Sequence, residues 1–117
     1  MFRKTFSALI VALVLTTSAA QAGPPGGTQT FSRFYPASDV GVGSVDLIGG
    51  QSTVTVKRLS GVGPISVRVV GELTGLEYGR NSGFDVVTVN FSHLPVAKMR
   101  IIVTNDGAPG TLQTMVY

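Results

Sequence analysis

One histidine, six carboxylates and no cysteine bound the chemistry this chain can carry. His93 lies beside Leu94 and Pro95. A nucleophilic serine would have to use it as base, with a carboxylate to orient it, yet no Gly-x-Ser-x-Gly turn is present. The carboxylates are Asp39, Asp46, Glu72, Glu77, Asp85 and Asp106. A glycosidase needs two of them across a cleft, ~5–9.5 Å apart. No spacing in the sequence sets any pair that way, so they read as solvated loop and edge charges. Without cysteine there is no disulfide, no thiolate, no Cys-ligated zinc and no lipid anchor on an N-terminal Cys. Only hard, oxygen-ligated ions such as calcium remain. Asn105-Asp106-Gly107 has suitable residue types but lacks the D-x-D-x-D-G spacing, and reads as a turn. Asn90-Phe91-Ser92 fits a glycosylation sequon but falls inside an alternating run. The residues therefore point to a non-enzymatic protein with no cofactor and no metal.

Binding chemistry is better represented. Lys57, Arg68, Lys98 and Arg100 all fall on the polar parity of alternating segments. If those segments share a sheet, their cations share an outer face. Clustered charge of that kind steers an acidic partner more than it tightens binding. Plain solvation, and protection of strand edges against aggregation, explain the same residues. Val70 and Ile102 have the same outward parity, so the face would be partly apolar.

The elements that must hold these residues are strands. From Phe84 to Tyr117, Val87, Val89 and Phe91 alternate with Thr88 and Asn90. Met99, Ile101 and Val103 alternate with Lys98, Arg100 and Thr104, and Leu112, Thr114 and Val116 with Gln113, Met115 and Tyr117. Period-two alternation suits a half-buried antiparallel strand, whose successive side chains face opposite ways. Further strands are expected over Thr28 to Tyr35, Ser44 to Ile48, Ser52 to Leu59 and Ile65 to Val70. Gly49-Gly50 suits a tight hairpin turn. Asp39 to Gly43 and the polar Thr74 to Gly83 read as loops. The Gly-Val-Gly steps at Gly41 and Gly61 read as similar turns entering strands. The expected fold class is all-β, a single antiparallel immunoglobulin-like β-sandwich of about seven strands. Its core would be Val54, Val56, Ile65, Val67, Val69, Val87, Val89, Phe91, Met99, Ile101 and Val103. A small closed barrel is the alternative.

The N-terminus has its own pattern. Arg3 and Lys4 precede an apolar run from Phe6 to Leu15, and Ala20-Gln21-Ala22 gives the small-x-small cleavage pattern. Residues 1–22 read as a cleaved signal peptide, 23–27 as a flexible leader and 28–117 as the domain. The apolar run is well short of the ~20 residues a membrane span needs. Without Arg3 and Lys4, seven basic residues stand against six acidic ones, too small an excess for a nucleic-acid binder. The expected address is periplasmic or extracellular, and the expected state a monomer.

Val87 to Gly107, VTVNFSHLPVAKMRIIVTNDG, resembles the end of the small periplasmic curli-assembly proteins, which keep amyloid subunits from assembling early. The resemblance rests on Asn-apolar-Ser closing one strand, basic-x-basic at Lys98 and Arg100 opening the next, and Asp106-Gly107 in the closing turn. It covers about a fifth of the chain, and the Cys-x-Cys some relatives carry is missing. It implies an immunoglobulin-like sandwich, no enzyme activity, an amyloid-forming subunit as partner, and Lys98 and Arg100 as binding positions. Two other readings stand beside it. A structural surface or adhesin subunit would assemble through strand edges. A carbohydrate-binding module would need exposed rings, for which Phe31, Phe34, Tyr35 and Tyr78 are the candidates.

Overall fold

The alternation carries through most of the chain. The computed structural model describes residues 22–117, so all of the expected signal segment except Ala22 lies outside the described residues. Eight strands follow one another: β1 (Gln29–Tyr35), β2 (Val40–Ile48), β3 (Gln51–Arg58), β4 (Pro64–Gly71), β5 (Glu77–Phe84), β6 (Val86–Ser92), β7 (Val96–Asn105) and β8 (Gly110–Val116). They form two antiparallel sheets, in the orders β1-β8-β3-β6 and β2-β7-β4-β5. No helix occurs among the described residues, and so none is long and apolar enough to cross a membrane.

The all-β antiparallel sandwich is as the alternation requires, and every core position read from it is buried. Tyr35, Val45, Leu47, Leu112 and Val116 complete the core. Each such side chain contributes about 1.5–3 kcal/mol on leaving water. The connectivity departs from the immunoglobulin order. Eight strands in the order 1-8-3-6 and 2-7-4-5 make a jelly roll, a pair of interleaved Greek keys. Only β4 and β5 are both consecutive and paired. Gly49 and Gly50 do take positive φ, at 89° and 81°. Their turn is not a hairpin, however: it hands the chain from β2 in one sheet to β3 in the other.

Two expected loops are strands. Asp39 to Gly43 enters β2, where Gly41 and Gly43 pair with Val103 and Ile101. Most of Thr74 to Gly83 forms β5, whose inward positions are Gly79, Asn81 and Gly83, so it shows no apolar alternation. Gly61 and Gly63, by contrast, lie in a loop at φ 77° and 126°. The leader is anchored at its first residue, because Gly23 exchanges backbone hydrogen bonds with Ile48 at 3.0 and 2.8 Å.

One end of the sandwich is tied by a buried polar pair. Asn105 is fully buried, and its Oδ1 accepts from Arg58 Nη2 at 2.7 Å and from Gly107 N at 3.0 Å. Its amide donates toward the carbonyls of Tyr35, Pro36 and Ala108. Arg58 also donates to the carbonyls of Pro64 and Ala108, leaving its Nε without a hydrogen-bond partner, 3.9 Å from Asp85. The ends of β1, β3 and β7 and the starts of β4 and β8 thus meet on two side chains.

Candidate functional site

Arg68, Lys98 and Arg100 do share the outer face of the β2-β7-β4-β5 sheet. Arg68 lies opposite Ile102, and Arg100 opposite Val70. Lys57 does not join them, because β3 belongs to the other sheet and its polar side faces the other way. The face is not a free cationic patch either. Lys98 meets Asp46 at 3.4 Å, Arg100 meets Glu72 at 3.3 Å, and Arg68 meets Glu77 at 3.0 Å. A fourth cation, Arg80, meets Glu77 at 2.7 Å. The hydrogen bond from Arg80, with help from Arg68, holds the Glu77 carboxyl down at about 2. Glu72 is also lowered, chiefly by the Ser44 hydroxyl and then by Arg100. The surface is a lattice of alternating charge that gives an acidic partner little net attraction.

His93 has a partner the sequence did not disclose. Ser52 Oγ lies 2.8 Å from its Nε2, and the Leu94 carbonyl lies 2.6 Å from its Nδ1. Those partners fix the tautomer: Nδ1–H donates to the carbonyl, and Nε2 accepts from the hydroxyl. A hydroxyl on an imidazole is the start of a nucleophile–base pair. Here the surroundings do not complete one. Ser52 is nearly buried, and a backbone carbonyl stands where a carboxylate would orient the ring. Nearby amides are already committed, His93 N to Gly50 O and Thr53 N to Tyr117 O, so they cannot receive an oxyanion. The contact clasps the ends of β3 and β6. Among the described residues no cluster of His, Cys, Asp or Glu could hold a metal ion.

The more open site lies along one side of the sandwich. On the opposite side β5 and β6 close the seam: a Cβ on Gly79 would meet Val89 Cγ1 at 2.7 Å, and Asn81 Nδ2 donates to Thr88 O at 3.0 Å. Between β1 and β2 the sheets part. A cleft of about 340 Å³ is floored by Ile101, Val103, Leu112 and Thr114, with Phe31 on one lip and Gly43 on the other. Phe31 faces inward, opposite Thr114 in the register, yet remains half exposed because nothing covers it. A Cβ on Gly43 would meet no atom within 4 Å. One end of the cleft is stoppered. Tyr35 packs against Gly41, and Arg33 sits over its ring, 4.1 Å from the centroid, while also pairing with Asp39. Burial pushes the Tyr35 phenol up, partly opposed by Arg33.

Among the described residues, both strands flanking the cleft have a free edge, and β1 pairs only with β8. β2 pairs with β7 on one side, and on the other only Ile48 has a backbone partner, Gly23, among the described residues. Gly23 starts an antiparallel pairing along β2 that Pro24 and Pro25, lacking N–H groups, cannot continue. The signal for this site was present in the sequence as Gly41-Val42-Gly43 ahead of an alternating run, but a glycine pair reads first as a turn.

No protein-family model matches the chain, and no curated protein matches it. Among solved structures, an arabinose-bound α-L-arabinofuranosidase aligns with 79% of this chain at 12% identity and a TM-score of 0.35. The chain spans 23% of that protein's length, and so loose a likeness carries no argument.

Proposed function

We propose that this protein is an exported, non-enzymatic binding module that takes up an extended segment of another protein chain along the β1/β2 seam. The carrying observation is Gly43, an inward strand position with empty space, whereas Gly41 beside it is filled by Tyr35 and Val45 on its other side is buried. An incoming strand would hydrogen-bond to the free edge of β2 and set alternate apolar side chains on Ile101, Val103 and Leu112. Main-chain bonds supply affinity in this mode, and pockets for alternate side chains supply selectivity. The narrower version, following the curli-assembly resemblance, makes the partner an amyloid-forming subunit. Assembly of like copies through the same edges is the structural-subunit version.

A second reading puts the contact on Arg68, Lys98 and Arg100, favoured by their common face and weakened by their acidic neighbours. One experiment separates the readings. Fluorescence anisotropy of a labelled alternating Val-Thr peptide is followed with wild type, Gly43→Val and Lys98→Ala/Arg100→Ala. The seam reading expects Gly43→Val to abolish binding and the double variant to keep it. The reverse pattern assigns binding to the charged face, and no binding by wild type removes the proposal. Thioflavin fluorescence of a curli subunit with the same variants tests the narrower version, and light scattering against concentration tests self-assembly.

A further inference from the structure

The two outer faces of the sandwich differ in kind. Four cations and three carboxylates are paired across the β2-β7-β4-β5 face. On the β1-β8-β3-β6 face the outward positions are mainly hydroxyl and amide side chains, among them Thr30, Ser32, Thr53, Thr88, Asn90 and Gln113. Lys57 is the one charged side chain at an outward position of those strands, since Arg33 and Arg58 lie on their inward parity. A surface with a single outward cation is poorly suited to ionic partners and is suited to ones that hydrogen-bond without charge.

At one end of this face lies a concavity of about 630 Å³ that Ala22 helps to line, and none of the described residues lining it carries a charged side chain. Tyr117 supplies a ring there. Its backbone exchanges hydrogen bonds with Thr53 at 2.9 and 2.6 Å, while its Oη reaches Thr55 Oγ1, 3.1 Å away and two residues along β3. The ring therefore reclines along the strand and stays about half exposed. Asn90 stands beside it with its amide fixed: Oδ1 accepts from the Thr53 hydroxyl at 2.7 Å, so Nδ2 is turned outward with no partner among the described residues. Gln51, Ser92 and Tyr78, which line the same hollow, also have side-chain polar groups with no partner among the described residues.

From this arrangement we infer that the hollow around Tyr117, Asn90, Ser92 and Tyr78 binds a neutral glycan, one or two pyranose units of an uncharged oligosaccharide. A pyranose presents an apolar C–H face, which a held aromatic ring covers, and a rim of hydroxyls, each both donor and acceptor. The held Asn90 amide and the unpartnered polar groups of Gln51, Ser92 and Tyr78 in a concave site match that rim without any ion. The site lies at the open ends of β3 and β6, away from the β1/β2 seam, and does not depend on the seam's role.

The test is isothermal titration of the full protein with cellohexaose, xylohexaose, mannohexaose and maltohexaose, with NMR shift mapping on isotope-labelled protein. Saturable binding of at least one is expected, with shifts centred on Thr53, Asn90, Ser92 and Tyr117. Tyr117→Ala should weaken it about tenfold or more. Because Tyr117 also ties to Thr55, Asn90→Asp serves as the isosteric control: it keeps the acceptor for Thr53, removes the outward amide donor, and should weaken binding by about tenfold. Gly43→Val should bind the glycan as wild type does. Absence of binding to all four, binding unchanged in Asn90→Asp, or shifts confined to the β2-β7-β4-β5 face would each overturn the inference.

Discussion

Two glycines in β2 give the sharpest prediction, because the same substitution should act in opposite directions at positions two residues apart on the same inward side. Gly43 pairs with Ile101 and Gly41 with Val103, and neither adopts a positive φ. At Gly43 an added side chain enters open space over the cleft floor. Gly43→Val should gain about 0.5–1 kcal/mol from lost unfolded-state freedom. It should gain about 1 kcal/mol more from partial burial of the isopropyl group. At Gly41 the new Cβ would come within 2.7 Å of Arg33 Nη1 and 2.8 Å of Tyr35 Cε2. Tyr35 is buried and cannot step aside freely, so Gly41→Val should cost about 1–3 kcal/mol as an overpacked site. For a domain of this size each kcal/mol moves Tm by about 4–8 °C. Calorimetric melting of the two variants should therefore bracket wild type, Gly43→Val above and Gly41→Val below. Stabilities shifted in the same direction would show that the seam is not open at Gly43 or that Tyr35 does not stopper it at Gly41.

Further predictions follow from the polar contacts. Asn105→Leu leaves the buried Arg58 guanidinium without its side-chain acceptor and should cost about 3–5 kcal/mol in urea unfolding; a loss under about 1 kcal/mol would refute the hub. Ser52→Ala should cost about 1 kcal/mol and leave p-nitrophenyl acetate turnover unchanged, whereas a fall in turnover would make the Ser52–His93 contact catalytic. Glu77 has a folded pKa of about 2, below the ordinary 4.5, so its contribution is complete above about 4.5 and is lost as pH falls toward 2. The urea midpoint should fall over that acid window, less steeply in Glu77→Gln, and identical slopes would exclude the Arg80–Glu77–Arg68 contacts in solution.

What the sequence shows is which side of a strand faces inward. Alternation identifies Val54, Val87 or Ile101 as core wherever the strand ends up, because burial depends on parity alone. It is silent about pairing. β6, β7 and β8 read as a consecutive run, yet β7 sits in one sheet and β6 and β8 in the other. A jelly roll and an immunoglobulin sandwich place much the same side chains inside, and they differ in turns such as Gly49-Gly50, whose positive φ serves an arch between sheets as well as a hairpin within one. β5 escaped for a related reason. An edge strand closing a seam needs small inward residues, and Gly79, Asn81 and Gly83 look like a loop until Val89 is seen to fill the space above Gly79.

The same limit explains the fate of the charged residues. Parity placed Arg68, Lys98 and Arg100 on one wall correctly, but the carboxylates that meet them come from elsewhere in the chain: Asp46 from β2, Glu72 from the loop after β4, Glu77 from the start of β5. Cross-strand ion pairs form between residues that the topology brings together, so a patch that looks basic along the sequence becomes nearly neutral once folded. Lys57 shows the converse, a cation of the same parity carried to the opposite wall because the turn after β2 takes the chain into the other sheet. Unspent binding capacity in this fold therefore lies where the topology leaves something unpaired. Among the described residues those places are the edge of β2 beyond Pro24 and Pro25, the empty space at Gly43, and the outward amide of Asn90. None of them is charged, which is why the partners proposed for them are ones recognised by backbone, apolar surface and hydroxyls.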